Sequence, residues 1–332
     1  MTRTIDRRNF LAATAALALS ASTANAQAPK PIPVIFHTDI GGDVDDTWAL
    51  LLLLRHPALD LRLCVTETGN ALARARLTAK LLTLAGRTDI PIAMGPGPGD
   101  NHGPQDAWIG DYSLDSYPNL IHTDAAAAMI ATVMASPDPV TIISVGPVPV
   151  LAEALKIAPA LARRARFVGM QGAVRVGYGG SAKIDAEYNV KTDPAALQAV
   201  FAADWLSCAI TPLDTCGLVV IDGDDLQKLR ASTDPFAHAC IANSEAWLPN
   251  APWMPKDFDL TKQSSTQFDS VAVTMAWDES DLVMETLPLR VTDDGMTIID
   301  PVHGRPVRVA SAWKDLAGFK RKMVSALTER PA

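Results

Sequence analysis

Short apolar runs alternate along the chain with longer segments in which apolar residues follow helical spacing. The short runs predict strands over 33–38, 61–66, 90–94, 140–145, 166–170 and 207–211. The longer segments predict helices over 47–55, 74–85, 150–157 and 270–277. This alternation predicts an α/β fold, with an open, mostly parallel sheet that has helices on both faces.

The carboxyl-terminal part departs from this alternation. Two strand-like segments, 282–291 and 296–299, flank Asp293-Asp294-Gly295, which is typical of a hairpin turn. A strand over 306–310 and a helix over 314–327 close the chain, so we expect a small C-terminal hairpin extension. Ligands of open parallel sheets bind at the carboxyl ends of the strands. Polar residues that directly follow strands are therefore the candidates for function.

The first 26 residues have a basic start, an apolar alanine and leucine run, and Ala24-Asn25-Ala26 at their end. This layout is typical of a cleaved secretory signal, and the apolar run is about half as long as a membrane span requires. Arg7-Arg8 before Asn9 resembles a twin-arginine signal, with an ordinary secretion signal as the alternative. We expect residues 27–332 to form one exported domain, periplasmic or secreted.

The chain carries a formal charge of -8. Because the signal segment carries a net charge of +2, the mature chain is close to -10. An acidic protein without a basic stripe is a poor partner for nucleic-acid polymers, so we expect small ligands and cations instead. We expect no membrane span in the mature chain.

Four cysteines, Cys64, Cys208, Cys216 and Cys240, form no CxxC pair, which argues against zinc and redox motifs. An exported protein permits disulfides, and Cys208 with Cys216 is the pair to consider. However, Cys64 and Cys208 lie in apolar, strand-like runs, where a buried free thiol is the more frequent state.

Four carboxylates, Asp39, Asp43, Asp45 and Asp46, lie within eight residues after the first predicted strand. Capping of the following helix accounts for one or two of them, but not for four. A divalent cation offsets their mutual repulsion, and hard oxygen ligands select calcium or magnesium. The sequence therefore predicts a metal site at this strand end.

The segment Asp39-Ile-Gly-Gly-Asp-Val-Asp-Asp46 resembles the amino-terminal signature of the inosine-uridine-preferring nucleoside hydrolases, with two extra residues in the loop. Further blocks follow in the family's order, namely Thr68-Gly69-Asn70, 89–95, 144–148, 170–173 with 185–189, and 268–273. The resemblance runs from about residue 33 to the terminal helix. It implies a nucleoside hydrolase-like domain with a Rossmann-like core.

The resemblance also implies roles for individual residues. Calcium would be the cofactor, bound by the carboxylates of Asp39, Asp46 and Asp269 and by the carbonyl oxygen of Val145. The ribose hydroxyls would be bound by a second set of side chains, namely Asp45, Asn70, Glu187 and Asn189. Taken singly, these residues also fit turns, helix starts, helix caps or surface charges. Asp43 has no clear counterpart in the family; it is either a group that supports the metal ligands or a solvated loop charge, and we favour the solvated charge.

The implied reaction is hydrolysis of the N-glycosidic bond of ribonucleosides to ribose and free base. A bound cation lowers the pKa of water, and Asp39 would accept the proton of that water as general base. Nearby carboxylates would stabilise the oxocarbenium character of the transition state. The family often forms dimers or tetramers, so a homodimer or homotetramer is the implied assembly.

The position before Asp269 departs from the family, in which many members have a histidine that activates the leaving base. Phe268 cannot donate a proton; it either stacks on a base or packs in the core. His102, in the loop after the third predicted strand, is then the candidate proton donor, with an exposed loop histidine without a role as the alternative. Trp247 and Trp253 are candidates for an aromatic wall on the base side, although burial alone would explain both.

Three functions are consistent with these residues. The first is hydrolysis of ribonucleosides. The second, suggested by Phe268, is hydrolysis of another ribosyl compound with a better leaving group. The third is a calcium-dependent protein that binds nucleoside or ribose without catalysis. The residues do not distinguish a purine from a pyrimidine preference.

Overall fold

A computed structural model of the chain describes residues 30–97 and 102–329. The predicted signal segment lies outside the described residues, so its cleavage and the twin-arginine route stay predictions. The described residues from Pro31 onward belong to one compact unit. Among the described helices, none is long and apolar enough to cross a membrane.

Within the described residues, ten strands form one sheet in the order β11-β10-β12-β7-β6-β5-β1-β2-β3-β4, and β8 pairs with β9 in a separate ribbon. The strands are β1 Ile32–Thr38, β2 Leu59–Thr66, β3 Ile92–Ala93, β4 Ile121–His122, β5 Val140–Ser144, β6 Ala165–Met170, β7 Ser207–Thr211, β8 Val220–Asp222, β9 Gln263–Thr266, β10 Leu282–Val291, β11 Thr297–Ile299 and β12 Arg305–Trp313. In the spatial order of the sheet, every neighbouring pair from β12 through β7, β6, β5, β1, β2 and β3 to β4 is parallel. Strand β10 pairs antiparallel with both β11 and β12. The predicted parallel sheet and C-terminal hairpin are both present.

The helices that connect these strands lie on both sides of the sheet. They are α1 Asp45–Arg55, α2 Ala71–Leu84, α3 Asp106–Ile109, α4 Ala125–Ala135, α5 Pro149–Ile157, α6 Tyr188–Thr192, α7 Pro194–Ala202, α8 Gly223–Ala231, α9 Pro235–Trp247, α10 Asp269–Met275 and α11 Leu316–Thr328. The open α/β fold predicted from the sequence is confirmed.

The central strands are apolar on both faces because successive side chains of a strand point to opposite sides. In β1, Val34 and Phe36 enter the core beneath α1, α9, α10 and α11, whereas Ile35 enters the core beneath α4, α5 and α7. All three side chains are fully buried. This double burial explains why the strand has no polar alternation in the sequence.

The strand order reverses direction between β1 and β5. From β1 the chain adds β2, β3 and β4 on one side, and then returns to add β5, β6 and β7 on the other. Such a switch point leaves a crevice at the carboxyl ends of the two neighbouring strands, because the loops there diverge to opposite sides. Asp39 follows β1 and Val145 follows β5, so both border this crevice.

All four cysteines are free. The disulfide considered between Cys208 and Cys216 is therefore not formed. Cys64, Cys216 and Cys240 are buried, and burial raises the pKa of each thiol. The state expected from the apolar context, a buried free thiol, is found at Cys64, whereas Cys208 is free but only partly buried.

Candidate active site

A cavity of about 470 Å³ opens at the carboxyl ends of β1 and β5. Its wall combines six carboxyl-bearing residues with one guanidinium and several aromatic rings. The lining residues are Asp39, Gly42, Asp43, Asp45, Asp46, Arg74, Val145, Met170, Tyr178, Glu187, Tyr188, Asn189, Trp253, Phe268 and Asp269. Residues from both ends of the sequence meet here because α1 and α10 pack against each other.

Asp45, Asp46 and Asp269 form the acidic centre of the cavity. Each offers a carboxylate oxygen, and these three oxygens lie within 4.8 Å of one another. All three residues are buried, each with 3% of its surface exposed. Three buried carboxylates at this spacing fit a hard divalent cation, because oxygen ligands at such distances satisfy its coordination. The donor set therefore matches the predicted kind of metal site.

The capping explanation does not apply to these aspartates. The N-cap of α1 is Val44 and that of α10 is Phe268, and neither makes a side-chain capping bond. Asp45 and Asp46 lie in the first turn of α1, and Asp269 begins α10. Both helix N-termini therefore face the cavity, where their dipoles favour negative charge. A hydrogen bond from the Thr38 hydroxyl to Oδ1 of Asp46 fixes one carboxylate.

Burial raises the pKa of Asp45, Asp46 and Asp269 well above the ordinary value, and the charges of neighbouring aspartates raise it further. Burial also raises the pKa of Asp43 to about 6 and that of Glu187 to about 7. Shifts in this direction mean that the cluster contains more negative charge than the protein alone compensates. A bound cation would supply the missing compensation.

Asp39 lines the same cavity but is not part of this three-oxygen group. Burial raises the pKa of Asp39, although the Arg74 guanidinium opposes this shift from 4.0 Å. Arg74 is held in place by donating to the carbonyl oxygen of Ile40 at 2.9 Å. The three-oxygen group contains Asp45 where the sequence analysis expected Asp39, so the division of labour between these two residues stays a prediction.

A buried network holds the strand ends under the site. His37 of β1 is hydrogen-bonded through Nε2 to Oε1 of Glu67 at 2.9 Å and through Nδ1 to Oγ of Ser144 at 2.8 Å. Glu67 also accepts from the backbone N–H of Val150 at 2.8 Å. Because these groups are fully buried and mutually bonded, the network fixes β1 and β5 relative to each other.

A family model described as inosine-uridine preferring nucleoside hydrolase matches residues 34–321. The chain belongs to this family.

Similar proteins agree with this membership. The pyrimidine-specific ribonucleoside hydrolase RihA of Citrobacter koseri is 33% identical over 219 residues, which is 62% of this chain and 68% of that protein. The enzyme of the same name from an Escherichia coli O1:K1 strain is 32% identical over 217 residues, with the same shares covered. The chain is accordingly an enzyme of the nucleoside hydrolase type, as the sequence resemblance implied.

Two solved structures share the fold. The plant nucleoside hydrolase PpNRh1 superposes with a TM-score of 0.72 at 23% identity, covering 90% of this chain and 98% of that one. A purine-preferring ribonucleoside hydrolase from Gardnerella vaginalis gives 0.70 at 20% identity, covering 89% and 99%. The nucleoside hydrolase fold expected from the sequence is therefore confirmed.

Glu187 and Asn189, expected at the ribose of this nucleoside hydrolase, lie in the cavity wall. Glu187 is the N-cap of α6, and its carboxylate accepts from the backbone N–H groups of Asn189 at 2.7 Å and Gly172 at 2.9 Å. Asn189 donates from Nδ2 to the carbonyl oxygens of Val145 at 3.0 Å and Met170 at 3.1 Å. Both side chains are thus held rigidly, and Glu187 is a buried cap, not a surface charge.

The aromatic residues divide into two layers. Phe268 and Trp253 line the cavity, whereas Trp247 is fully buried behind them. Trp247 donates from Nε1 to the carbonyl oxygen of Gly42 at 3.1 Å, and its ring lies 6.2 Å from that of Trp253. Of the two tryptophans expected on the base side, only Trp253 can meet a ligand; Trp247 instead supports the glycine loop.

Asn70 and His102 are not among the residues that line the cavity. Asn70 donates from Nδ2 to the carbonyl oxygen of His102 at 3.0 Å. The imidazole of His102 is 91% exposed and is hydrogen-bonded to Asp106 at 2.6 Å. The expected roles of Asn70 at the ribose and of His102 as proton donor therefore stay predictions.

Sequence reasoning missed four residues of the wall, namely Arg74, Met170, Tyr178 and Tyr188, and misjudged Asp43. Asp43 lines the cavity and is partly buried, and its Oδ1 accepts from the backbone N–H of Val44 at 2.7 Å, so it is not a solvated loop charge. Tyr178 meets Phe268 edge to face, with ring centroids 6.1 Å apart. In a chain with only 6% aromatic residues, tyrosines beside the ribose block were the available signal.

Gly146, in the turn after β5, is expected to be essential for the placement of Asp39. A Cβ atom at this position would lie 2.7 Å from Oδ1 and 2.8 Å from the backbone nitrogen of Asp39, closer than real Cβ contacts allow. We expect Gly146→Ala to lower kcat/KM about 100-fold, because small displacements of reacting groups have effects of this size. Steady-state ribose release measures the loss.

A glycine in the aspartate loop provides the matched control. The methyl group of Gly42→Ala would meet the Asp39 carbonyl oxygen at 3.7 Å, an ordinary contact distance. Gly42→Ala should therefore cost much less activity. Equal losses in the two variants would contradict the steric explanation.

Proposed function

We propose that this nucleoside hydrolase cleaves the N-glycosidic bond of ribonucleosides with calcium as its cofactor. The observation that carries the proposal is the group of three buried carboxylates, Asp45, Asp46 and Asp269, at the floor of a cavity at the sheet's switch point. Together with Asp39 and the Val145 carbonyl, these residues supply only oxygen ligands. Such a set suits calcium or magnesium better than softer metals.

The remaining residues suggest a division of labour. Asp39 lines the cavity outside the three-oxygen group, and as general base it accepts the proton of the attacking water. Glu187 and Asn189, held by backbone hydrogen bonds, orient the ribose hydroxyls. The surrounding carboxylates stabilise positive charge that develops on the sugar. When bound, a divalent cation would supply Lewis acidity that lowers the pKa of water.

The ribose is the part of the substrate that this arrangement supports best. We expect the purified protein to release ribose from ribonucleosides and to act at least 100-fold more slowly on 2′-deoxyribonucleosides, because buried polar groups that lose their partner oppose binding strongly. Reducing-sugar release over a panel of both sugars measures the ratio. Equal turnover of ribosides and deoxyribosides would contradict the roles proposed for Glu187 and Asn189.

The base is less constrained. Relatives are named pyrimidine-specific, whereas a structural neighbour is named purine-preferring. The ring of Phe268 lines the cavity next to the metal-binding carboxylate of Asp269, where it offers contact area but no proton. This favours a second candidate, hydrolysis of ribosyl compounds whose leaving group needs no acid. We further propose export through the twin-arginine signal, tested by locating the protein after replacement of Arg7 and Arg8 by lysine.

A further inference from the structure

Aromatic residues line the cavity together with the carboxylates, and Tyr178, Tyr188, Trp253 and Phe268 are called its aromatic wall below. Tyr178, Tyr188 and Trp253 are 42%, 60% and 54% exposed. Across residues 30–97 and 102–329, these are the aromatic side chains that are more than about a third exposed, and all three line this cavity. Phe268 lies against Tyr178 and continues the wall. Exposed rings gathered at one cavity indicate a planar ligand, because isolated surface rings would be scattered.

The charges of the cavity are strongly unbalanced. Six carboxyl groups line it, and a divalent cation would offset two negative charges. Arg74 is the basic side chain among the described lining residues, and it lies at the Asp39 end, bonded to the Ile40 carbonyl. The carboxyl group of Asp43 lines the same cavity as the ring of Trp253. A ring seated there meets π faces and the Asp43 carboxylate.

Leaving-group chemistry points in the same direction. A neutral base departs as an anion unless a proton reaches it, and Phe268 has none to give. Tyr178 is not a suitable acid either, because burial raises its pKa. Its hydroxyl accepts a hydrogen bond from the Tyr188 backbone N–H at 2.9 Å. An aglycone that already carries a positive charge needs no donor. When its bond to C1′ breaks, the electron pair returns to the ring nitrogen and the base leaves neutral, while water adds to C1′ and its proton goes to Asp39.

We propose that the preferred substrates are N-ribosides whose aglycone carries a fixed positive charge, such as N-ribosylpyridinium compounds or N7-alkylated purine ribosides. The cationic ring lies among Tyr178, Tyr188 and Trp253, with the Asp43 carboxylate beside it. Aromatic rings attract a cation through their negative faces, and the attraction is largest where water is excluded. This inference rests on the proposed hydrolysis of ribosides and adds the chemical class of the base.

Binding of the aglycone can be tested separately from its reactivity. Nicotinamide and the 1-methylnicotinamide cation have nearly the same shape and differ in charge. We expect the cation to inhibit ribonucleoside hydrolysis competitively with a constant about tenfold lower than that of nicotinamide. In Asp43→Asn and in Trp253→Leu this ratio should fall to about 2 or less, since each removes one element that favours a cation.

Asp185→Asn is the matched control. Asp185 is exposed and paired with Lys183, and it is not among the cavity residues, so this variant changes the net charge equally without touching the wall. Its inhibition ratio should equal that of the unmodified enzyme. A decline of the ratio as large as in Asp43→Asn would mean that overall charge, and not the wall, selects the cation, and would overturn the proposal.

Two outcomes separate this inference from the proposed function. Equal inhibition by both compounds, with ribonucleosides turned over, would overturn the cationic preference and leave ribonucleoside hydrolysis standing. Tight binding of the 1-methylnicotinamide cation without turnover of any riboside would support binding of cationic rings at the aromatic wall and contradict the proposed hydrolysis. In direct turnover, we expect kcat/KM for N-ribosylnicotinamide to exceed that for uridine at least tenfold.

Discussion

Asp39→Asn is expected to lower kcat by about two to four orders of magnitude, the range that a positioned general base contributes. Asparagine keeps the shape of the side chain and its place beside Arg74, but it cannot accept a proton from water. KM should change far less than kcat, because ribose contacts are assigned to other residues. Ribose release under steady-state conditions measures both constants.

The metal group must be assessed in the same variant, because the sequence also suggests Asp39 as a ligand. Asp45, Asp46 and Asp269 form the three-oxygen group without Asp39, so a calcium-induced rise in Tm should persist in Asp39→Asn. Asp185→Asn, an exposed acid-to-amide change, should retain wild-type activity. An Asp39→Asn enzyme with undiminished kcat would falsify the general-base role.

Removing divalent cations with EGTA is expected to abolish activity, and calcium should restore it. Calcium should also raise the free energy of unfolding by about 2.7 kcal/mol at a concentration of about 100 times its Kd, since it binds only the native state. Asp46→Asn and Asp269→Asn should each lose most of this stabilisation, because two carboxylates remain of the three that meet within 4.8 Å. Calorimetry with and without calcium provides the comparison.

The pH dependence of stability offers a second measure of the same cluster. The native pKa values of Asp43 and Glu187 are raised to about 6 and about 7, so the native state binds more protons than the unfolded chain. In EGTA the free energy of unfolding should therefore fall as the pH rises from about 4 to about 7. Calcium stabilises the ionised carboxylates and should reduce this fall. A calcium-free enzyme that gains stability over this range would contradict the charge imbalance.

The fold was largely predictable because its signals are local. The apolar runs of β1, β5, β6 and β7 are buried on both faces, and that leaves a continuous hydrophobic pattern in the sequence. The strand predicted over 90–94 is present as the shorter β3, whereas β4 and the ribbon of β8 and β9 are too short to leave a recognisable pattern and were not predicted. Helix ends shifted by a few residues: α1 begins at Asp45, ahead of the predicted start at residue 47, because the loop turns earlier.

The site could be predicted from the sequence where its functional residues lie close together along the chain. Four aspartates within eight residues predicted a cation site, and Asp45 and Asp46 lie in the first turn of the helix that follows. Asp269 belonged to the set only by family resemblance, because no local pattern links it to residues more than two hundred positions earlier. Its contact with Asp45 and Asp46 depends on the packing of α10 against α1.

The sequence by itself determined the alternation of strands and helices, the acidic end of the first strand and the lack of an acidic group at Phe268. Each of these is a property of single residues or of neighbours along the chain. Only the tertiary structure decided that Trp253 lines the cavity while Trp247 lies behind it, that Asp43 belongs to the wall, and that Tyr178 and Tyr188 face the same space. These outcomes depend on which loops converge at the switch point between β1 and β5. Which loops meet depends on contacts between residues far apart in the sequence, and the spacing of apolar residues along the chain does not predict such contacts.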